Sequence, residues 1–232
     1  MKRVLLKLSG EALSRETGEL YDIGFVNEVA SAICKCVDDG YQMAIVVGAG
    51  NIWRGREGGK MDRTTADRMG MLATVINSLY LKDAIVRAGK RASVMTAVPM
   101  SPFAEPYSAE VAVQRLEAGE VVLFGAGLGI PFLSTDTAGA VRAAEIGADT
   151  ILMAKNVDYI YTADPRKVEG AIKLEKIKAT EMLAMNLKAI DATATAFSLS
   201  SGVPVRVFGL KDAEDIVNAV NGRVDGTVIT AE

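Results

Sequence analysis

The sequence predicts an α/β fold, a three-layer αβα sandwich around a mostly parallel sheet. Two observations predict it. Short apolar runs recur at 4–9, 43–50, 92–98, 121–127, 150–155, 203–209 and 227–231, near-continuous rather than alternating. Strands covered on both faces read this way. Between the runs lie helical stretches, roughly 22–39, 65–88, 107–118, 136–146, 191–201 and 211–221, each followed by a glycine (Gly40, Gly89, Gly119, Gly147, Gly202, Gly222). Glycine just past a helical pattern is the expected C-terminal stop. The alternation predicts βαβ units with helices on both faces.

In chain order, the first run, VLLKLS, carries Lys7 towards its end and meets Ser9-Gly10. A lysine in a doubly covered strand needs water or an anion. The second run ends in VVGAGNIWRG (46–55) and leads into a basic, glycine-rich loop at 52–64. The fourth ends in LFGAGLGIPFLSTD (123–136), and the fifth opens onto a polar stretch at 156–175. No repeat, low-complexity tract or linker divides the chain, so a single domain, 1–232, is expected.

Half of the residues are apolar, enough for a sizeable core. Acidic residues (29) slightly exceed basic ones (26), for a formal net charge of -3, which excludes a broad basic field for nucleic acid. No apolar run approaches the roughly 18–20 residues that cross a bilayer, and the start lacks a secretory leader, so a cytoplasmic location is expected. Cys34 and Cys36 stand at i, i+2 on a helix and do not face each other, which predicts buried thiols. Histidine is absent, so any chemistry runs on Lys, Arg, Asp and backbone N–H groups.

Three strands ending in glycine turns form a set suited to phosphate. Glycine lets backbone N–H groups approach the oxygens, and open α/β sheets bind ligands beyond the carboxyl ends of their strands. GREGGKM has neither the spacing nor the hydroxyl of a phosphate-loop motif, and GAGNIW carries Trp53 where a dinucleotide fingerprint needs its third glycine. Lys7 and Arg54 are either solvent-reaching cations or neutralisers of a transferring phosphoryl group. Asp67 either offsets a helix N-terminus or accepts from sugar hydroxyls. Asp136 either caps a helix or orients a lysine. Tyr161 and Asp164 make either an ordinary turn or one wall of a nucleotide site.

The segments KLSGE (7–11), VGAGNIWRG (47–55), ADRMGMLATVIN (66–77), PFLSTDTA (131–138), VDYIYTADPR (157–166) and VRVFG (205–209) together resemble the bacterial uridylate kinases of the amino acid kinase superfamily. The resemblance spans essentially the whole chain. It implies the amino acid kinase (carbamate kinase-like) fold, with an acceptor-side half at about 1–140 and an ATP-side half at about 141–232. It implies phosphoryl transfer from ATP to UMP with magnesium, in pyrimidine nucleotide synthesis, without a protein general base. Lys7, Leu8, Ser9 and Gly10 would sit at the ATP phosphates, and Gly50 and Arg54 along the phosphoryl path. Ala49, Asp67 and the segment Leu128, Gly129, Ile130, Pro131, Phe132, Leu133, Ser134 and Thr135 would take UMP. Asp136 would organise Lys7. Lys155, Tyr161 and Asp164 would shape the ATP side, with Asp191 as a further acid.

The metal would be held mainly by phosphates rather than by protein side chains. A homohexamer, activated by GTP and inhibited by UTP, belongs to the same expectation. One departure stands out: Leu128 and Ile130 occupy positions where many members carry threonine and asparagine. The rival expectations are a kinase of the same fold with a carbamate, aspartate, glutamate or acetylglutamate acceptor, and a non-catalytic nucleotide-binding regulator.

Overall fold

The computed structural model describes residues 2–15, 18–53, 60–163 and 168–231. The chain runs β1 (Arg3–Leu8), α1 (Gly10–Ser14), α2 (Ile23–Asp38), β2 (Gln42–Val47), α3 (Arg63–Arg87), β3 (Ala92–Thr96), β4 (Glu105–Pro106), α4 (Ala109–Glu117) and β5 (Val121–Gly125). It continues through α5 (Thr135–Glu145), β6 (Thr150–Lys155), β7 (Ile160–Tyr161), β8 (Lys173–Leu174), β9 (Lys176–Lys178), α6 (Ala179–Ala184), α7 (Ala192–Ser201), β10 (Val205–Gly209), α8 (Glu214–Val220) and β11 (Gly226–Thr230).

The main sheet has the order β4-β3-β5-β2-β1-β6-β10-β11-β9, parallel except for the β10–β11 pair. Every strand of this sheet before residue 140 lies on the β1 side of the β1–β6 seam and every later one on the β6 side, while β7 and β8 pair separately. The strand order therefore reverses beside β1, and such a reversal opens a crevice at the carboxyl ends of the strands. Lys7 pairs in register with Val46 of β2 and Met153 of β6.

Alternate residues of each central strand feed two cores. Leu6, Leu8 and Ile45 pack with α2, α3 and α8 residues such as Ile33, Leu81 and Ile216. Leu5, Val46 and Met153 pack with Leu116, Ala140 and Ala194 of α4, α5 and α7. Both faces are covered, which is why the runs are continuous in the sequence. Side-chain caps start the helices: Asp22 accepts from the Phe25 N–H (3.0 Å) and Asp62 from the Thr65 N–H (2.9 Å). At the other end of α7, Gly202 takes a left-handed φ of 74°, as its position predicts. Cys34 and Cys36 are buried free thiols, and burial, reinforced by Asp39, pushes Cys36 up to about 12.

Three local features differ from the sequence expectation. Helix α1 begins at Gly10, where no helix is expected, because Ser9 accepts from the Ala12 N–H and caps it. The stretch 156–175 contains the small β7–β8 hairpin, and α6 follows β9 without an amphipathic signal long enough to read. Helix α3 is long and apolar enough, by length and hydropathy, to cross a membrane, and 44% of its apolar window is buried in the protein. The sequence reading misses this window because Asp67, Arg68 and Lys82 interrupt the visible run. In the fold, the helix packs its apolar residues against α2, β3 and β5.

A Cβ at Gly226 would stand 2.2 Å from the Val207 carbonyl oxygen, a backbone atom that cannot yield alone. Gly226→Ala is expected to cost about 1–3 kcal/mol through overpacking. It should read as a lower urea midpoint with an unchanged slope.

Candidate active site

At the β1–β6 seam the sheet delivers two lysines to one carboxylate. Lys7 Nζ lies 2.8 Å from Asp136 Oδ1, as an ion pair without an aligned hydrogen bond. Lys155 Nζ donates to Asp136 Oδ2 at 2.7 Å. Ser134 performs the capping of α5, accepting from the N–H groups of Asp136 (3.0 Å) and Thr137 (3.1 Å). The Asp136 carboxylate is thereby left to the lysines. Lys7 and Asp136 are both buried.

Burial alone would raise the Asp136 carboxyl, but the charges of Lys7 and Lys155, with the Lys155 hydrogen bond, hold it down to about 2. Burial first and the Lys7 charge second push Lys155 below the ordinary lysine range, with Asp136 opposing. One carboxylate does not neutralise two ammonium groups, so the ionised triad carries a surplus positive charge, offset in part by Asp191, whose charge reaches Lys155.

The first two glycine turns touch. A Cβ on Gly10 would meet Asn51 Oδ1 at 2.4 Å, the Gly48 oxygen at 2.7 Å and the Gly50 nitrogen at 2.7 Å. Only glycine permits this approach. Asn77, fully buried on α3, holds the second turn from behind: its amide donates to the Gly48 oxygen and to Asn51 Oδ1, each at 2.7 Å. Its oxygen accepts from the Tyr21 hydroxyl (2.8 Å) and Asn51 Nδ2 (3.2 Å). All four hydrogen-bonding positions of the amide are filled.

Two cavities flank these turns. One, of about 380 Å³, is lined by Ala49, Gly50, Trp53, Asp67, Leu128 and Ser134 among others. Its α3 wall is Asp67, Gly70, Met71 and Thr74, residues that share one helix face. Thr74 Oγ1 accepts from the Ala126 N–H at 2.9 Å, and Trp53 Nε1 donates to the Ala66 oxygen at 2.9 Å, so both walls are fixed. The second cavity, of about 820 Å³, includes Ala12, Arg15, Asn51, Asn156, Leu210 and Lys211. The cavities share Glu11 and Gly50, so they meet at the contacting turns.

The expected site residues distribute unevenly. Lys7, Asp136 and Lys155 come together, and Ala49, Gly50, Asp67, Leu128, Ile130, Leu133, Ser134 and Thr135 line the first cavity. Gly129 and Pro131 belong to the same segment without lining the cavity, and Phe132 is 66% exposed, touching the site through its backbone N–H on Asp67 (2.8 Å). Leu8 is buried in the core, and Ser9 serves as the cap of α1. Tyr161 stands on the β7–β8 hairpin with its hydroxyl 3.4 Å from Asp158 Oδ1. Asp191 caps α7 and also accepts from the Thr137 and Ser134 hydroxyls, so its carboxylate is occupied structurally. Arg54 and Asp164 lie outside the described residues.

Trp53, Thr74, Asn77 and Lys211 are not among the site residues that the sequence singles out. For Thr74 and Asn77 a signal existed, since they follow Asp67 at i+7 and i+10 on the same helical face. Among the described residues no group of three acidic or cysteine side chains is placed to hold a metal ion.

The folded pKa of Asp136 lies below its unfolded value. Its contribution is therefore complete above about pH 4 and lost as the pH falls towards about 2. Asp136→Asn is expected to flatten this acid segment of the stability curve. At pH 7 it should cost about 3–5 kcal/mol, because two lysines lose their counter-charge. Urea unfolding from pH 2 to 7 measures both.

Comparison with known proteins agrees with this geometry. A family model of the amino acid kinase family matches residues 2–209. The chain is similar to the crystal structure of UMP kinase from Bacillus anthracis (36% identity, TM-score 0.94, covering 100% of this chain and 96% of that one). It is also similar to UMP kinase from Ureaplasma parvum (34%, TM-score 0.93, 99% and 98%) and to uridylate kinase from Archaeoglobus fulgidus (28%, TM-score 0.75, 99% and 100%). With its reversed sheet, paired glycine turns and lysine–aspartate cluster, the chain belongs to the amino acid kinase family.

Proposed function

We propose that the chain is a UMP kinase, transferring the terminal phosphoryl group of ATP to UMP to give ADP and UDP. The observation that carries this reading is the meeting of two cavities at Glu11 and Gly50, with the charge cluster tied to both: Asp136 follows Thr135 of the smaller and Lys155 precedes Asn156 of the larger. Phosphoryl transfer needs two substrates aligned end to end and positive charge on the moving oxygens. In this reading the smaller cavity takes UMP and the larger takes ATP.

An oxygen of the UMP phosphate attacks the terminal phosphorus of ATP, a new P–O bond forms, and the bond to the bridging oxygen breaks with its electrons leaving on ADP. The attacking group is already an anion near neutral pH, since such phosphates have a second pKa of about 6. No side chain has to remove a proton, which agrees with a chain that lacks histidine. Lys7 and Lys155 stabilise the charge that spreads over the transferred oxygens, and Asp136 keeps both in place. N–H groups of the Gly10 and Gly50 turns supply further donors, with Arg54 as an additional cation on the phosphoryl path.

Ala49 retains its backbone N–H where the turn meets UMP. Leu128 and Ile130 offer no side-chain donors or acceptors, so base recognition falls to backbone groups of that segment and to Thr135. Tyr161 and Asp164 belong to the ATP side.

Magnesium enters as the complex of ATP, held mainly by the phosphates. The reading extends to one domain with acceptor-side and ATP-side halves, a cytoplasmic enzyme of pyrimidine nucleotide synthesis, and a homohexamer with GTP and UTP as regulators. Support for assembly comes from α3, where Met69, Leu72 and Ile76 expose apolar surface on one face. The named neighbours favour a nucleotide acceptor over an amino acid, and the intact charge cluster favours an enzyme over a regulator.

ADP release with Mg-ATP is the test, run over UMP, CMP, carbamate, aspartate, glutamate and acetylglutamate. UMP alone is expected to support rapid turnover, and Lys7→Ala to lower kcat at least about 100-fold. Turnover with an amino-acid acceptor would replace the UMP assignment and keep the fold and charge cluster.

A further inference from the structure

Asp67 is held on two sides. Arg63 Nε donates to both carboxylate oxygens, at 2.8 and 2.9 Å, from one turn earlier on α3. The Phe132 N–H donates to Oδ2 at 2.8 Å from a segment 65 residues away. An ionised carboxylate offers about four acceptor directions, so roughly one remains.

Phe132 itself adopts φ 71°, a left-handed conformation that favours glycine and costs phenylalanine free energy. Its ring is largely exposed, so burial does not hold the backbone there. The contacts that do are the bond to Asp67 and the Arg63 guanidinium, 5.5 Å from the ring centroid. Asp67 lines one side of the smaller cavity, and Ile130 and Leu133, either side of Phe132, line the other. Arg63, Asp67 and the Phe132 N–H therefore form a clasp across the cavity mouth.

We propose that Arg63 is a positioning residue for the acceptor: it fixes the Asp67 carboxylate with one acceptor direction left for a sugar hydroxyl, and through Asp67 it holds segment 128–134 as the cavity's outer wall. The inference rests on reading that cavity as the UMP site. It assigns Arg63 a role in acceptor affinity and none in the transfer step. Arg63 is about half exposed, so its replacement leaves the core intact.

Arg63→Ala and Arg63→Lys, compared with the unmodified chain, test this by steady-state kinetics with Mg-ATP and by UMP titration of the fluorescence of Trp53, the chain's one tryptophan. Arg63→Ala is expected to raise both the KM and the Kd for UMP about tenfold, with kcat and the KM for ATP within about twofold. Arg63→Lys, which keeps the charge but loses the fixed Nε–H shared by both oxygens, should fall between. An unchanged UMP Kd in Arg63→Ala, or parallel losses in kcat, ATP KM and Tm, would overturn the inference while UMP turnover by the unmodified chain stands. Absence of that turnover overturns the acceptor reading, and this inference with it.

Discussion

One carboxylate set between two lysines, beneath the carboxyl ends of β1 and β6, is the interaction on which the rest of the site depends. Taking three charges out of water is unfavourable unless they are close and well paired. Lys7, Asp136 and Lys155 meet that condition at 2.7–2.8 Å. The arrangement requires β1 beside β6, so that the two lysines project from adjacent strand ends, and α5 starting where the Ser134 cap frees Asp136 to face them. Sheet order, helix start and charge placement are thus one constraint. The surplus cation that results has its natural partner in a phosphate.

Around this centre the protein replaces flexibility with saturated contacts. Asn77 leaves none of its amide valences to water, and Thr74 and Trp53 spend their polar atoms on backbone groups. Each bond is individually modest. Together they hold the second glycine turn and the α3 wall in one geometry, which is what alignment of two substrates demands. The apolar residues Leu128 and Ile130 break this pattern. They line the smaller cavity with apolar side chains, between the polar groups of Asp67 and Ser134.

Much of the fold was legible because burial on both faces prints continuous apolar runs and because glycine stops are local. Lys7 and Asp136 could be singled out from their places at a strand end and a helix start. The third member, Lys155, was assigned to the ATP side, and its bond to Asp136 is a consequence of sheet order that no local pattern encodes. Asp67 is visible in the sequence; its i,i+4 pairing with Arg63 was also legible at helical spacing, whereas the Phe132 N–H that completes the clasp is 65 residues away and has no local signal. Helix α1 escaped because a single serine cap, not periodicity, starts it. Asp191 is legible as a further acid beside the site, and its roles as cap of α7 and acceptor of two hydroxyls, with its charge reaching Lys155, come from tertiary packing that composition does not encode.

The place of β1 in the sheet also has a temporal side. Its partner β6 lies far along the chain, with Leu5 opposite Ile151, so this pairing closes one of the longest loops in the protein. Contacts of such separation form late, because their loop entropy must be met before they contribute. On the ribosome, β1 can pair with β2 long before β6 emerges, and until then Lys155 is not available to complete the cluster. The first strand synthesised waits for the second half of the chain, so the charge cluster arises near the end of folding rather than growing with it.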